Sequence, residues 1–143
     1  MSSGYETIMV NALARLKATP PVIGTLGNIR RAHRTAVPRD KAPAVHLVDG
    51  VDRPTKGNKG CGGREGSFTV SIFGRSDTGV SAVDAIKVAI MNKMAAAWPA
   101  GVTCYPGQIT HDVEIADEDA IRIDMDFELK YPTTSEWALE LAT

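Results

Sequence analysis

Residues that mark specialised chemistry are scarce in this chain. Two cysteines, Cys61 and Cys104, occur in 143 residues. They are too few for a disulfide framework and read as free thiols of a reducing compartment. Aromatic residues make up 6%, and the first 75 residues hold only Tyr5, Phe68 and Phe73, which is no base-stacking platform for single-stranded nucleic acid. No apolar run approaches the ~20 residues that cross a bilayer. The start, MSSGYETIMVNALARL, lacks the basic and then unbroken apolar stretches of a secretory leader. The three histidines, His33, His46 and His111, match no local metal spacing, and no CxxC accompanies them. What remains is an ordinary globular composition, 43% hydrophobic and 23% charged, long enough to build the core of a single domain over residues 1–143 without staples.

The net charge of −1 conceals a split. Residues 1–75 carry 12 Lys/Arg against 5 Asp/Glu, whereas residues 76–143 carry 4 against 12. Such asymmetry points to a nucleic-acid patch, to complementary surfaces on two copies, or to mutual neutralisation where the halves interleave.

Periodicity gives the order of elements. Ser3 with Glu6 forms a capping-box pattern. Tyr5, Ile8, Met9, Ala12, Leu13 and Leu16 follow at helical spacing until Pro20, predicting a helix over 4–18. Residues 22–26 read as a short strand, and 28–34, with Arg30, Arg31, His33 and Arg34, as a second. Residues 44–49 are rich in β-branched side chains and predict a strand. The segment GVDRPTKGNKGCGGREG, 50–66, holds six glycines and the basic residues Arg53, Lys56, Lys59 and Arg64, and reads as a flexible hairpin loop. Long structureless loops are usually functional. Phe68, Val70 and Ile72 alternate with polar residues, predicting a half-buried strand antiparallel to 44–49. A second helix is expected over 79–97, stopping before Pro99. Pro106-Gly107 signals a turn, His111–Ile115 a short strand, and 117–119 an acidic turn. In 120–131, Ile121, Ile123, Met125, Phe127, Leu129 and Tyr131 take one face, while Arg122, Asp124, Asp126, Glu128 and Lys130 take the other. The tail 132–143 adds at most a helical turn, with Trp137 and Leu141 as apolar anchors. The fold class is α+β: two helices on one face of a mostly antiparallel sheet, with a long glycine-rich hairpin loop.

Reactive constellations are thin. Gly57-Asn58-Lys59-Gly60 superficially suggests a phosphate loop, but no Gly-Lys-Ser/Thr occurs and a strand follows it. Asp124 with Asp126, and Asp112 with Glu114, pair carboxylates along strands. Acid–base work or Mg²⁺ binding uses such pairs, but so does a solvated face or one turned to a neighbouring subunit. Cys61 has no adjacent base to activate it. Arg30, Arg31 and Arg34 form a basic edge that suits phosphates, solvent or another subunit. The sequence gives no catalytic residue, cofactor or metal site, and an enzyme is not expected.

The series as a whole, from the helix Tyr5–Ala18 through Ala42-Pro43-Ala44-Val45-His46-Leu47, the strand Phe68–Phe73 and the helix Val80–Trp98 to Ile121-Arg122-Ile123-Asp124-Met125-Asp126-Phe127-Glu128-Leu129-Lys130-Tyr131-Pro132-Thr133-Thr134, resembles the tail terminator (tail completion, minor tail protein U-like) proteins of long-tailed bacteriophages. The resemblance implies a virion protein at the head-proximal end of the tail, assembled in the host cytoplasm. It implies a homo-oligomeric ring, typically a hexamer, that caps the tail tube, ends its polymerisation and meets a head-completion or neck protein. DNA would pass through the lumen without specific binding, and no membrane is involved. Other head–tail connector proteins share the size and layout. A heterologous interface repeated around a closed axis needs two complementary patches. Arg30, Arg31, Arg34, Arg53, Lys56, Lys59 and Arg64 would supply one, and Asp124, Asp126 and Glu128 the other, with Trp137 as a further contact.

Overall fold

The computed structural model describes residues 3–32, 43–55, 62–75, 80–99, 101–111, 120–133, 139 and 141. In chain order these form α1 (Gly4–Lys17), a 3-10 turn (Leu26–Asn28), β1 (Ile29–Arg31), β2 (Ala44–Pro54), β3 (Gly62–Arg75), α2 (Val80–Ala95), β4 (Thr103–His111) and β5 (Ala120–Thr133). The sheet order is β1-β2-β3-β5-β4. β1 pairs parallel with β2, and the other neighbours are antiparallel. Both helices pack on one face, so the α+β class is as expected. No described helix is long and apolar enough to cross a membrane.

α1 begins where the capping-box pattern places it: the Ser3 hydroxyl accepts from the Glu6 amide at 3.1 Å. Its apolar stripe, Tyr5, Ile8, Met9, Ala12 and Leu16, is buried against the sheet. The ends of the two helices cap each other. Arg15 donates to the carbonyls of Lys93, Ala96 and Ala97 at 3.0, 2.8 and 2.6 Å, while Lys93 Nζ donates to the Ala18 carbonyl at 2.6 Å. Cations at helix C-termini satisfy orphan carbonyls and oppose the helix dipole. The Arg15 guanidinium also lies 3.9 Å over the Trp98 ring. Beneath the helices, Phe68 and Phe127 stack at 5.2 Å from adjacent strands.

The glycine-rich hairpin is present, but the flexible loop expected over 50–66 is mostly strand. β2 runs on to Pro54 and β3 starts at Gly62; the connection that remains lies beyond Thr55, and 56–61 are outside the described residues. A bulge between Asp49 and Asp52 makes this extension possible. It brings two backbones together closely enough that a Cβ at Gly66 would sit 2.5 Å from the Val51 carbonyl oxygen, which only glycine avoids. The bulge also leaves Gly50 N–H and Ser67 C=O without ladder partners. The Tyr5 hydroxyl satisfies both, accepting from Gly50 at 2.9 Å and donating to Ser67 at 2.8 Å. Tyr5→Phe is therefore expected to destabilise the protein by about 1–2 kcal/mol, read as a lower denaturant midpoint with an unchanged m-value.

Three other expectations change. Residues 22–24 are bends that lead through Thr25 into the 3-10 turn at Leu26, not a strand. Pro106-Gly107 does not end β4: it sits where the β4–β5 register shifts, since an edge strand tolerates a missing N–H. Of the strand expected over 111–115, His111 is the last residue of β4, and residues 112–119 lie outside the described residues. Beyond β5, Leu141 bridges to Thr133 and the Leu139 carbonyl accepts from Gly4 N–H at 2.5 Å. Trp137 and the helical turn expected from residue 135 lie outside the described residues.

Candidate functional site

The two faces of the sheet differ sharply. Val45, Leu47, Phe68, Val70, Ile72, Ile123, Met125 and Phe127 meet the helices. The opposite, open face is polar, and one row crosses the whole sheet in register: Arg30, His46, Ser71, Asp124 and Thr110. The next row carries Thr69 opposite Asp126, and the one beyond carries Ser67, Glu128 and Tyr105.

The sheet order also decides what the charge split becomes in space. The first half of the chain supplies β1, β2 and β3 and the second half β5 and β4, but the strands carry little of the split: β2 holds Asp49 and Asp52 against Arg53, β4 holds no Asp, Glu, Lys or Arg, and β5 holds Asp124, Asp126 and Glu128 against Arg122 and Lys130. The strands of the two halves meet only at the β3–β5 ladder. Among the described residues, the ion pairs of Arg31 with Glu6 and Asp49, Arg53 with Glu65, and Arg64 with Asp52 stay in the first half. Lys87 with Asp84 and Arg122 with Asp124 stay in the second. The halves sit side by side across the sheet.

Among the expected interface residues, Arg30 and Glu128 are exposed on the open face. Asp126 is half-buried and accepts from the Thr69 hydroxyl at 2.7 Å. Arg53 is exposed at the hairpin and paired with Glu65 at 2.8 Å. Three others are engaged within their own chain. Arg31 lies on the helix side and forks between Asp49, at 2.7 and 2.6 Å, and Glu6, at 2.6 Å. Its pKa is raised mainly by the Asp49 hydrogen bonds, which outweigh partial burial. Arg64 donates to Asp52 at 3.0 Å, and Tyr131 donates to the same carboxylate oxygen. Burial works against the Arg64 charge and Asp52 more than restores it, while burial and then Asp52 push the Tyr131 hydroxyl upward. Asp124 is 7% exposed rather than presented on an open strand face. It accepts from Ser71 at 2.7 Å and from Arg122 at 3.2 and 3.3 Å. Short neighbours on a central strand bury a carboxylate that alternation alone places at the surface. Arg34, Lys56, Lys59 and Trp137 lie outside the described residues, as does Cys61. The thiol of Cys104 is pushed up to about 11 by burial, which keeps it protonated and unreactive.

His46 is the other buried titratable group of this face, 2% exposed. Arg30 Nε approaches its Nε2 at 3.5 Å, and Phe73 lies 5.1 Å from the ring. That contact makes Nε2 the acceptor, so the proton sits on Nδ1, which has no partner among the described residues. Burial, and then the Arg30 charge, lower its pKa. The unfolded chain therefore binds a proton near pH 6.5 that the folded chain refuses. Stability is complete above that value and declines as pH falls from it towards the folded pKa. Urea titrations from pH 7.5 to 5.5 are expected to show this loss, no steeper than about 1.4 kcal/mol per pH unit, and a flatter profile in His46→Gln.

Sequence reasoning missed the exposed apolar residues Leu26, Val51 and Tyr105. Val51 and Tyr105 flank a recess of about 220 Å³ on the open face, lined also by Arg53, Ser67, Glu128 and Lys130. The signal for Leu26 was available: a lone leucine framed by Gly24 and Gly27 is poorly placed for a core.

No family model and no curated protein sequence matches the chain. A solved structure described as "Virion of native gene transfer agent (GTA) particle" contains a chain of the same fold. The TM-score is 0.70 at 14% identity, covering 92% of this chain and 100% of that one.

Proposed function

We propose that this chain is a structural virion protein of the tail terminator type: a ring that caps the tail tube, ends its polymerisation and presents the surface for head–tail joining. The observation that carries this reading is the difference between the two flanks of the sheet. The sheet order puts exposed Arg30 on the β1 flank and exposed Glu128 with half-buried Asp126 towards the β5–β4 flank, so each copy has two different flanks. That is what a heterologous contact around a closed axis requires. The same fold in a chain of a virion particle supports it, as does the near-complete coverage of both chains. DNA would pass through the lumen without specific contact, as the resemblance to tail terminators implies.

The test is mass in solution against protein concentration, at low and high salt, with and without purified tail tube protein. A closed oligomer near six subunits that weakens as salt screens its contacts, and that blocks further addition of tube subunits, is expected. A chain that stays monomeric even with tube protein sinks the reading. Assembly with portal-side proteins and not with the tube would reassign it as a neck component.

A further inference from the structure

Two features at distant places on the molecule are exposed apolar side chains with a charged group beside them. The first is a knob. The turn before β1 stands clear of the body: a Cβ added at Gly24 or Gly27 would meet nothing within 4 Å. Leu26, at the head of the 3-10 turn, is 48% exposed. The turn is nevertheless held firmly, by Asn28 N–H to the Thr25 carbonyl at 3.0 Å and the Asn28 side chain to the Pro43 carbonyl at 3.2 Å. Exposed Arg30 follows it on β1. An ordered, protruding leucine next to a cation is already arranged for contact and loses little freedom on binding.

The second feature is the recess. The β2–β3 bulge lifts Val51 on one side, and Tyr105 stands on β4 at the other; they are 53% and 46% exposed. Gly66 and Ser67 form a low floor between them. Arg53, Glu65 and Lys130 also line it, and Arg53 and Glu65 pair with each other at 2.8 Å; Glu128 lies at its side with Asp126 two residues away on the same strand face, and neither of these carboxylates has an ion-pair partner among the described residues.

One molecule cannot join its own knob to its own recess. Ile29 is level with Val45, and the recess lies beside Val51 and Arg53 farther along β2. Six to eight residues of strand separate these levels, roughly 20–26 Å at ~3.3 Å per residue. The knob is also on the β1 flank, while Glu128 and Tyr105 belong to the β5–β4 flank. The occupant that fits is therefore a second copy. We infer that Leu26 of one copy seats between Val51 and Tyr105 of the next, with Arg30 against Glu128 and Asp126, as the repeating contact of the assembly. This rests on the ring reading and gives it a specific contact: an apolar side chain in a small-floored recess, ringed by a charge pair that fixes polarity.

Directionality gives a sharp test. Leu26→Asp destroys the knob and keeps the recess; Glu128→Lys does the reverse. Each alone is expected to associate about 30-fold more weakly than wild type, as loss of an interface hot spot implies, and to run as a monomer by light scattering at concentrations where wild type is assembled. Mixed in equal amounts they retain one intact contact, and a species of two chains that grows no further is expected. Arg30→Glu combined with Glu128→Lys should restore assembly that either change alone removes. Melting temperatures within a few degrees of wild type exclude misfolding, and Leu26→Ser serves if Leu26→Asp falls outside that range. Assembly of Leu26→Asp or Leu26→Ser at wild-type strength, or a 1:1 mixture that stays monomeric, overturns the contact while leaving the ring reading standing. A wild-type chain that is monomeric with and without tube protein overturns both.

Discussion

Asp124→Lys is expected to destabilise the fold itself rather than merely disassemble the protein. On charge pattern alone, Asp124 belongs with Asp126 and Glu128 on an outward acidic face, and its reversal should spare the monomer. The structure argues otherwise. Its carboxylate is 7% exposed and receives the buried Ser71 hydroxyl and the Arg122 guanidinium. Reversal removes every acceptor those donors have on this side chain and puts a second cation beside Arg122, itself 18% exposed along its side chain. Breaking a buried pair so that one charge is left uncompensated costs about 3–5 kcal/mol. For a domain of this size that lowers the melting temperature by about 10–15 °C. Asp124→Asn keeps an acceptor for Ser71 and is expected to lose about 1–2 kcal/mol. Thermal melts of the two variants decide the matter. An Asp124→Lys protein that melts within a few degrees of wild type but no longer assembles would return Asp124 to the interface.

The elements legible in the sequence are those whose pattern is set locally. The Ser3–Glu6 cap, the stripe from Tyr5 to Leu16 and the alternation through Phe68–Ile72 and Ile121–Tyr131 all declare one buried side, and each element lies within a few residues of its expected place. What could not be read depends on partners distant in sequence. Gly62, Gly63 and Gly66 look like loop residues, yet they lie in a strand because Pro132, Tyr131 and Leu129 pair with or beside them. Pro106-Gly107 looks like a turn, yet it is a bulge because β5 continues past it. Alternation likewise separates the two faces of β5 but not the buried middle of its polar face from the exposed end, so charge pattern alone groups Asp124 with Glu128. The charge split was visible at once. Its meaning was not, because only the order β1-β2-β3-β5-β4 keeps the halves on separate flanks instead of interleaving them.

Arg30 and Arg31, adjacent and chemically identical, are expected to fail in different ways when reversed, because a strand sends neighbouring side chains to opposite faces. Arg31 points to the helix side, where it ties α1 to β1 and β2 through Glu6 and Asp49. Both carboxylates are partly exposed, so solvent weakens each pair. Their bidentate, charge-assisted geometry nevertheless makes the site stronger than an ordinary surface pair. Arg31→Glu loses both partners and brings a third carboxylate between two others, a cost of about 2–4 kcal/mol once repulsion is included. Arg31→Lys keeps the charge without the fork and should recover about half of that. Arg30, on the open face, has only the 3.5 Å approach to His46 among its described side-chain partners. Arg30→Glu is therefore expected to melt within a few degrees of wild type while assembly is lost. Paired melting and light-scattering measurements separate the two residues: Arg31→Glu should shift the melt, and Arg30→Glu the mass. If Arg31→Glu left the melt unchanged and abolished assembly, the fork to Glu6 and Asp49 would contribute nothing to stability, and the basic edge would act as one surface after all.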